Sequence, residues 1–109
     1  MTSFRDIART FEDGPAGTDQ FKAFYKGAFQ LMRDDAGNAA LYFPVGIAAQ
    51  AYVLRYEDQA VEPAFADQAK ATLVGFNKRL LVALSQDAAQ RLQAASSVAA
   101  DYEWGVSEF

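Results

Sequence analysis

At 109 residues the chain has room for one domain with its own core and not for two. Its hydrophobic share of 51% against 22% charged residues excludes a disordered chain, which needs the opposite balance. A net charge of −4, from 10 basic and 14 acidic side chains, argues against a nucleic-acid binder held by phosphate contacts and against adsorption on anionic membranes.

Periodicity and capping residues predict five helical segments. In the first, Ser3 is placed to cap, Asp6 stands where a capping box needs a carboxylate, and Phe4, Ile7, Ala8 and Phe11 form one apolar stripe. Gly14-Pro15 ends it. The second runs from Thr18 or Asp19 to about Asp35, with an apolar face (Phe21, Phe24, Tyr25, Ala28, Phe29, Leu31, Met32) wide enough for two neighbours. Its Asp34-Asp35 ending opposes the helix macrodipole, because anions are disfavoured at a helix C-terminus.

The third segment, Ala39 to Leu54, carries no charge. A helix apolar all round belongs in a core, and its 16 residues fall short of the roughly 20 that span a bilayer. Pro44 fits best in the first turn of a helix starting near Phe43, with 39–43 as a lead-in. The alternative is one longer helix from Asn38 kinked at Pro44. The fourth opens at Glu62-Pro63, and Phe65, Ala69, Leu73, Phe76, Leu80 and Leu84 recur at helical steps. Ser85 is placed to cap the fifth, with Asp87 in its first turn and Ala88, Leu92, Ala95, Ala99 and Tyr102 as its thin apolar face. Residues 103–109 read as a flexible tail or an interaction segment. The expected architecture is therefore a single all-α domain over residues 1–109, a helical bundle of four main helices plus a short N-terminal one, with the third helix central and buried.

The chain contains no histidine and no cysteine, so the commonest general base, the commonest transition-metal ligand and all thiol chemistry are missing. Most of the carboxylates lie at helix ends or on polar faces, and none stands in an apolar stretch where burial would raise its pKa. No Gly-Lys-Ser/Thr occurs, Gly14-Pro-Ala-Gly17 lacks dinucleotide-loop spacing, and Asp34-Asp35 has no calcium-ligand series after it. The sequence thus leans against an enzyme, and no catalytic residue, metal ligand or cofactor is expected. Thr2 to Asp13 shows no signal-peptide pattern, which makes a soluble cytoplasmic protein the default expectation, with neither nucleic acid nor membrane as partner.

Arg5 and Arg9 lie one turn apart, as do Lys22 and Lys26; interleaved acids favour ordinary solvated faces over a basic patch. Tyr42, Phe43, Tyr52 and Tyr56 cluster around the uncharged segment, and Gln50 is its one strongly polar residue, so these five are candidate walls of a small-molecule pocket. Aromatics at helical spacing favour a plain packed core instead. In the tail, Tyr102, Trp104 and Phe109 alternate with Asp101, Glu103 and Glu108, a pattern short docking peptides use. A lone Trp in a small domain favours instead Tyr102 and Trp104 closing the end of the bundle, with the final residues disordered. The leading expectation is a protein-interaction or regulatory module with a protein partner or a second copy of itself, inhibitor-like in one form. The alternative is a bundle that binds a small ligand near Tyr42, Tyr52 and Tyr56.

Overall fold

The first helix is fixed by its own residues. In the computed structural model, which describes residues 2–107 and 109, α1 (Phe4–Asp13) carries the reciprocal capping box read from the sequence. The Asp6 amide donates to Ser3 Oγ and the Ser3 amide donates to the Asp6 carboxylate, both at 3.2 Å. These bonds hold the Asp6 carboxyl below its ordinary value. Then follow α2 (Thr18–Asp34), a single 3-10 turn (Ala36–Asn38), α3 (Ala39–Tyr56), α4 (Pro63–Leu84) and α5 (Ala88–Val106). The chain is an all-α bundle, with no strand among the described residues. No helix among them is long and apolar enough to cross a membrane.

Two helix starts differ from the sequence reading. The third helix begins at Ala39, so Pro44 lies inside it rather than in the first turn of a helix near Phe43. The preceding 3-10 turn runs directly into it, giving Ala39–Phe43 helical neighbours on both sides. Ser85 does not cap the fifth helix: it ends α4, its hydroxyl donating to the Val82 carbonyl at 2.8 Å. Asp87 is the cap, accepting from the Gln90 amide at 2.9 Å. A carboxylate one residue from the helix start answers both the orphan amides and the dipole, which a serine two residues earlier cannot reach.

The awkward Asp34-Asp35 ending is explained as well. Asp35 closes α2 and accepts from Tyr42 Oη at 2.6 Å and from Asn38 Nδ2 at 2.9 Å. The charge that opposes the dipole is thus used to fasten the turn into α3.

Helix α3 is central, packed against α2, α4 and α5 with Leu41, Tyr42, Val45, Gly46, Ala48, Ala49, Tyr52 and Val53 buried. Its close approach to α2 requires a glycine: a Cβ at Gly46 would lie 2.6 Å from the Phe29 ring. Helix α1 lies across α2 and α4, and Lys70 Nζ ties α4 to the turn after α1 through the Gly14 carbonyl at 2.7 Å. An unbroken run of aromatic rings crosses the core. Tyr42 meets Phe4 at 5.5 Å between centroids, Phe4 meets Phe24, Phe24 meets Phe11, and Phe11 meets Phe21 edge-on at 4.9 Å. Phe21 stacks on Tyr52 at 4.0 Å, and Tyr56 links Tyr52 to Phe65 on α4. Each such buried ring contributes about 1.5–3 kcal/mol of burial, and the edge-on and offset geometries add to it. The radius of gyration, 13.1 Å, is that of a compact chain of this length.

Candidate functional site

The fifth helix runs in the same direction as the third. Near their ends Arg55 donates to the main-chain oxygens of Val106 at 3.2 Å and Phe109 at 2.9 Å. The first half of α3 and the Ala95–Tyr102 part of α5 border an open groove of about 710 Å³. Its walls are Ala40, Phe43, Pro44 and Ile47 from α3 and Ala95, Ala99 and Tyr102 from α5, with Met32 of α2 at one side. Only Ser96 and the Tyr102 hydroxyl bring polarity, and burial raises the Tyr102 phenol above its ordinary pKa, so it remains a donor.

The groove continues onto an open face of α3. Phe43, Ile47, Gln50 and Leu54 recur at helical spacing on the side turned away from the bundle, with Phe43 50% and Leu54 78% exposed. On α5, Leu92 is 68% exposed one turn before the groove wall begins at Ala95. The uncharged helix that the sequence placed wholly in the core is therefore buried on most of its circumference and bare on one stripe. Pro44 adds a main-chain feature: it has no N–H to donate to the Ala40 carbonyl, and both residues line the groove.

The residues singled out from the sequence do not converge on one site. Tyr52 is buried in the aromatic run, and Tyr56 and Phe109 pack against it. Tyr42 sits ten residues earlier on α3, roughly 15 Å along the axis, where it lines a separate cleft of about 440 Å³ with Arg5 and Leu84. Burial first, then the bond to Asp35, pushes its phenol well above the ordinary value. Gln50 is half-buried on the α3 stripe. Of the tail residues, Tyr102 lines the groove, Phe109 is buried, and Trp104 is 80% exposed beside a shallow depression of about 210 Å³ shared with Phe65 and Phe109. Helix α5 continues through Tyr102 and Trp104 to Val106; Glu108 lies outside the described residues.

Sequence reasoning named Phe43 as a candidate pocket wall but missed Pro44, Ile47 and Ser96, and so missed the surface they share with it. The available signal was the absence of any charge from Ala39 to Leu54, but a helix without a polar face gives no direction for its open side.

A second polar cleft, about 300 Å³, lies between α1 and α4. Lining it is Asn77, only 2% exposed, whose side-chain oxygen and nitrogen both lack a hydrogen-bond partner among the described residues. An orphaned buried amide costs about 1–3 kcal/mol. No group of three or more metal-ligating side chains is assembled among the described residues. Compared with known protein families, curated proteins and solved structures, the chain matches none.

Proposed function

We propose that this chain is a protein-interaction module that docks a second copy of itself through the α3–α5 groove. The observation that carries the reading is the partly exposed, uncharged stripe of α3, with Phe43 and Leu54 open and Ile47 half-buried between them, lying beside an apolar groove with no charged residue in its walls. Exposed apolar surface of this continuity usually marks an interface. A second copy suits it for two reasons. The face carries both a projecting ring, Phe43, and a receiving groove, as a two-fold contact between identical surfaces requires. Its lack of charge also keeps the net −4 of each copy away from the contact, where like charges would oppose association.

Sedimentation equilibrium tests this directly. The wild-type chain is expected to dimerise in the micromolar range, and Phe43→Asp and Ile47→Asp to remain monomeric with unchanged helical circular dichroism. A wild-type chain that stays monomeric at every concentration sinks the self-docking reading.

One observation favours a second reading, a small apolar ligand in the same groove. The volume of about 710 Å³ falls within the range of ligand cavities. On that reading the chain is a monomer whose melting temperature rises with an apolar ligand by mass action, and Ile47→Asp abolishes the rise.

A further inference from the structure

The cleft between α1 and α4 is a different kind of place from the apolar groove. Three cations (Arg5, Arg9 and Lys78) and two carboxylates (Glu12 and Asp13) line it around Asn77. The charges are sorted along α1. Arg5 and Arg9 occupy its first two turns, and Glu12 and Asp13 its last, so the ends of the cleft differ in sign over roughly 10 Å. Lys78 reaches Glu12 across the cleft at 3.7 Å, a long contact between half-exposed groups that holds neither strongly. Neither Arg5 nor Arg9 belongs to an ion pair among the described residues.

Asn77 is the independent observation. Its amide offers two donors and one acceptor oxygen, and none is used among the described residues although the side chain is almost wholly buried. Buried polar groups are ordinarily paired, so an amide with both ends idle beside a polar cleft calls for a partner. The groups that answer both ends of a carboxamide at once are the N–H and C=O of one extended peptide residue, which point to the same side, whereas the N–H and C=O of a single trans peptide unit point apart.

We propose that the α1–α4 cleft binds a short zwitterionic peptide of three residues. The N–H and C=O of its middle residue pair with the Asn77 side chain, its carboxylate turns to Arg5 and Arg9, and its ammonium turns to Glu12 and Asp13. The cleft volume of about 300 Å³ admits a molecule of this size and little larger. The Asn77 amide is closed off from solvent in the unliganded chain, so binding involves a turn of its side chain and release of the weak Glu12–Lys78 contact. Nothing covalent changes; the complex forms by exchange of hydrogen bonds and counter-ions alone.

Triglycine is the probe, since it has both end charges and two amides but no side chains. Titrated into the full chain through the millimolar range, it is expected to shift the Asn77 side-chain amide resonances and those of α1, and to saturate. Asn77→Leu is expected to abolish saturation while the helical fold persists. Arg9→Gln, at an exposed position, is expected to weaken binding about tenfold, the loss of one charge-assisted bond. N-acetylated triglycine amide, with neither end charge, is expected to bind more weakly than triglycine. A titration that never saturates overturns the proposal, as does binding that survives Asn77→Leu. Acetate shifting the same resonances with equal affinity overturns it too, reducing the cleft to a simple anion site.

Discussion

Tyr42 Oη donates a 2.6 Å hydrogen bond to the Asp35 carboxylate, so a buried phenol on α3 fastens the end of α2. The bond ties stability to pH at both extremes. The Tyr42 bond first, then Asn38, holds the Asp35 carboxyl below its ordinary 3.8. Its contribution is therefore present above that value and is lost as the pH falls through the lowered one. For Tyr42, raised above 10.0, the contribution is complete below pH 10 and is lost as the pH climbs through the raised value. Tyr42→Phe is expected to cost about 1–2 kcal/mol at neutral pH and to flatten the acid limb. Urea denaturation at a series of pH values reads both. Parallel acid limbs for variant and wild type would show that the Asp35–Tyr42 bond is not their source.

Gly46 tests how tightly α3 is held on α2. Alanine gains about 1 kcal/mol of helix propensity over glycine, but here its Cβ meets the Phe29 ring at 2.6 Å. Overpacking of this kind costs about 1–3 kcal/mol. Gly46→Ala is accordingly expected to lower the melting temperature despite the better propensity, and Phe29→Leu in the same chain to recover part of the loss. A melting temperature raised by Gly46→Ala alone would mean that the ring swings aside freely.

Pro44 offers the opposite sign. An interior proline is about 3 kcal/mol worse than alanine in a helix, and restoring an N–H lets residue 44 donate to the Ala40 carbonyl. Pro44→Ala is expected to stabilise by about 1–3 kcal/mol, each kcal/mol raising the melting temperature by roughly 4–8 °C in a domain near this size. Since Pro44 lines the groove, the same variant is expected to weaken self-association. An unchanged melting temperature would show that the helix already accommodates the ring without loss.

Asn77→Leu is expected to stabilise the free chain. It replaces an amide with two idle polar atoms by an apolar group of similar size among Val74 and Leu81, removing a desolvation cost of about 1–3 kcal/mol. Thermal denaturation without any peptide reads the effect. Loss of stability would reveal that the amide has a partner, such as an internal water.

Much of the fold is legible one segment at a time. The Ser3–Asp6 box starts α1, Pro63 starts α4, and the Phe65-to-Leu84 repeat marks the apolar stripe of α4. These signals act within a single turn or along one face, so they need no knowledge of neighbours. The candidate sites are another matter. Tyr42, Tyr52 and Tyr56 share one helix, yet Phe4 claims the first and Phe21 the second, and both rings come from other helices.

What the sequence by itself determined is the helical class, most helix limits and the one uncharged segment, because capping bonds and hydrophobic period are local physics. Which side of that segment stays bare was decided only in the folded chain. Gly46 lets α2 close on one flank of α3 while Arg55 draws the end of α5 to the other, and Phe43 and Ile47 are left lining the groove. An all-apolar helix has no preferred inward face of its own, so its exposed stripe is whatever its packed neighbours leave uncovered.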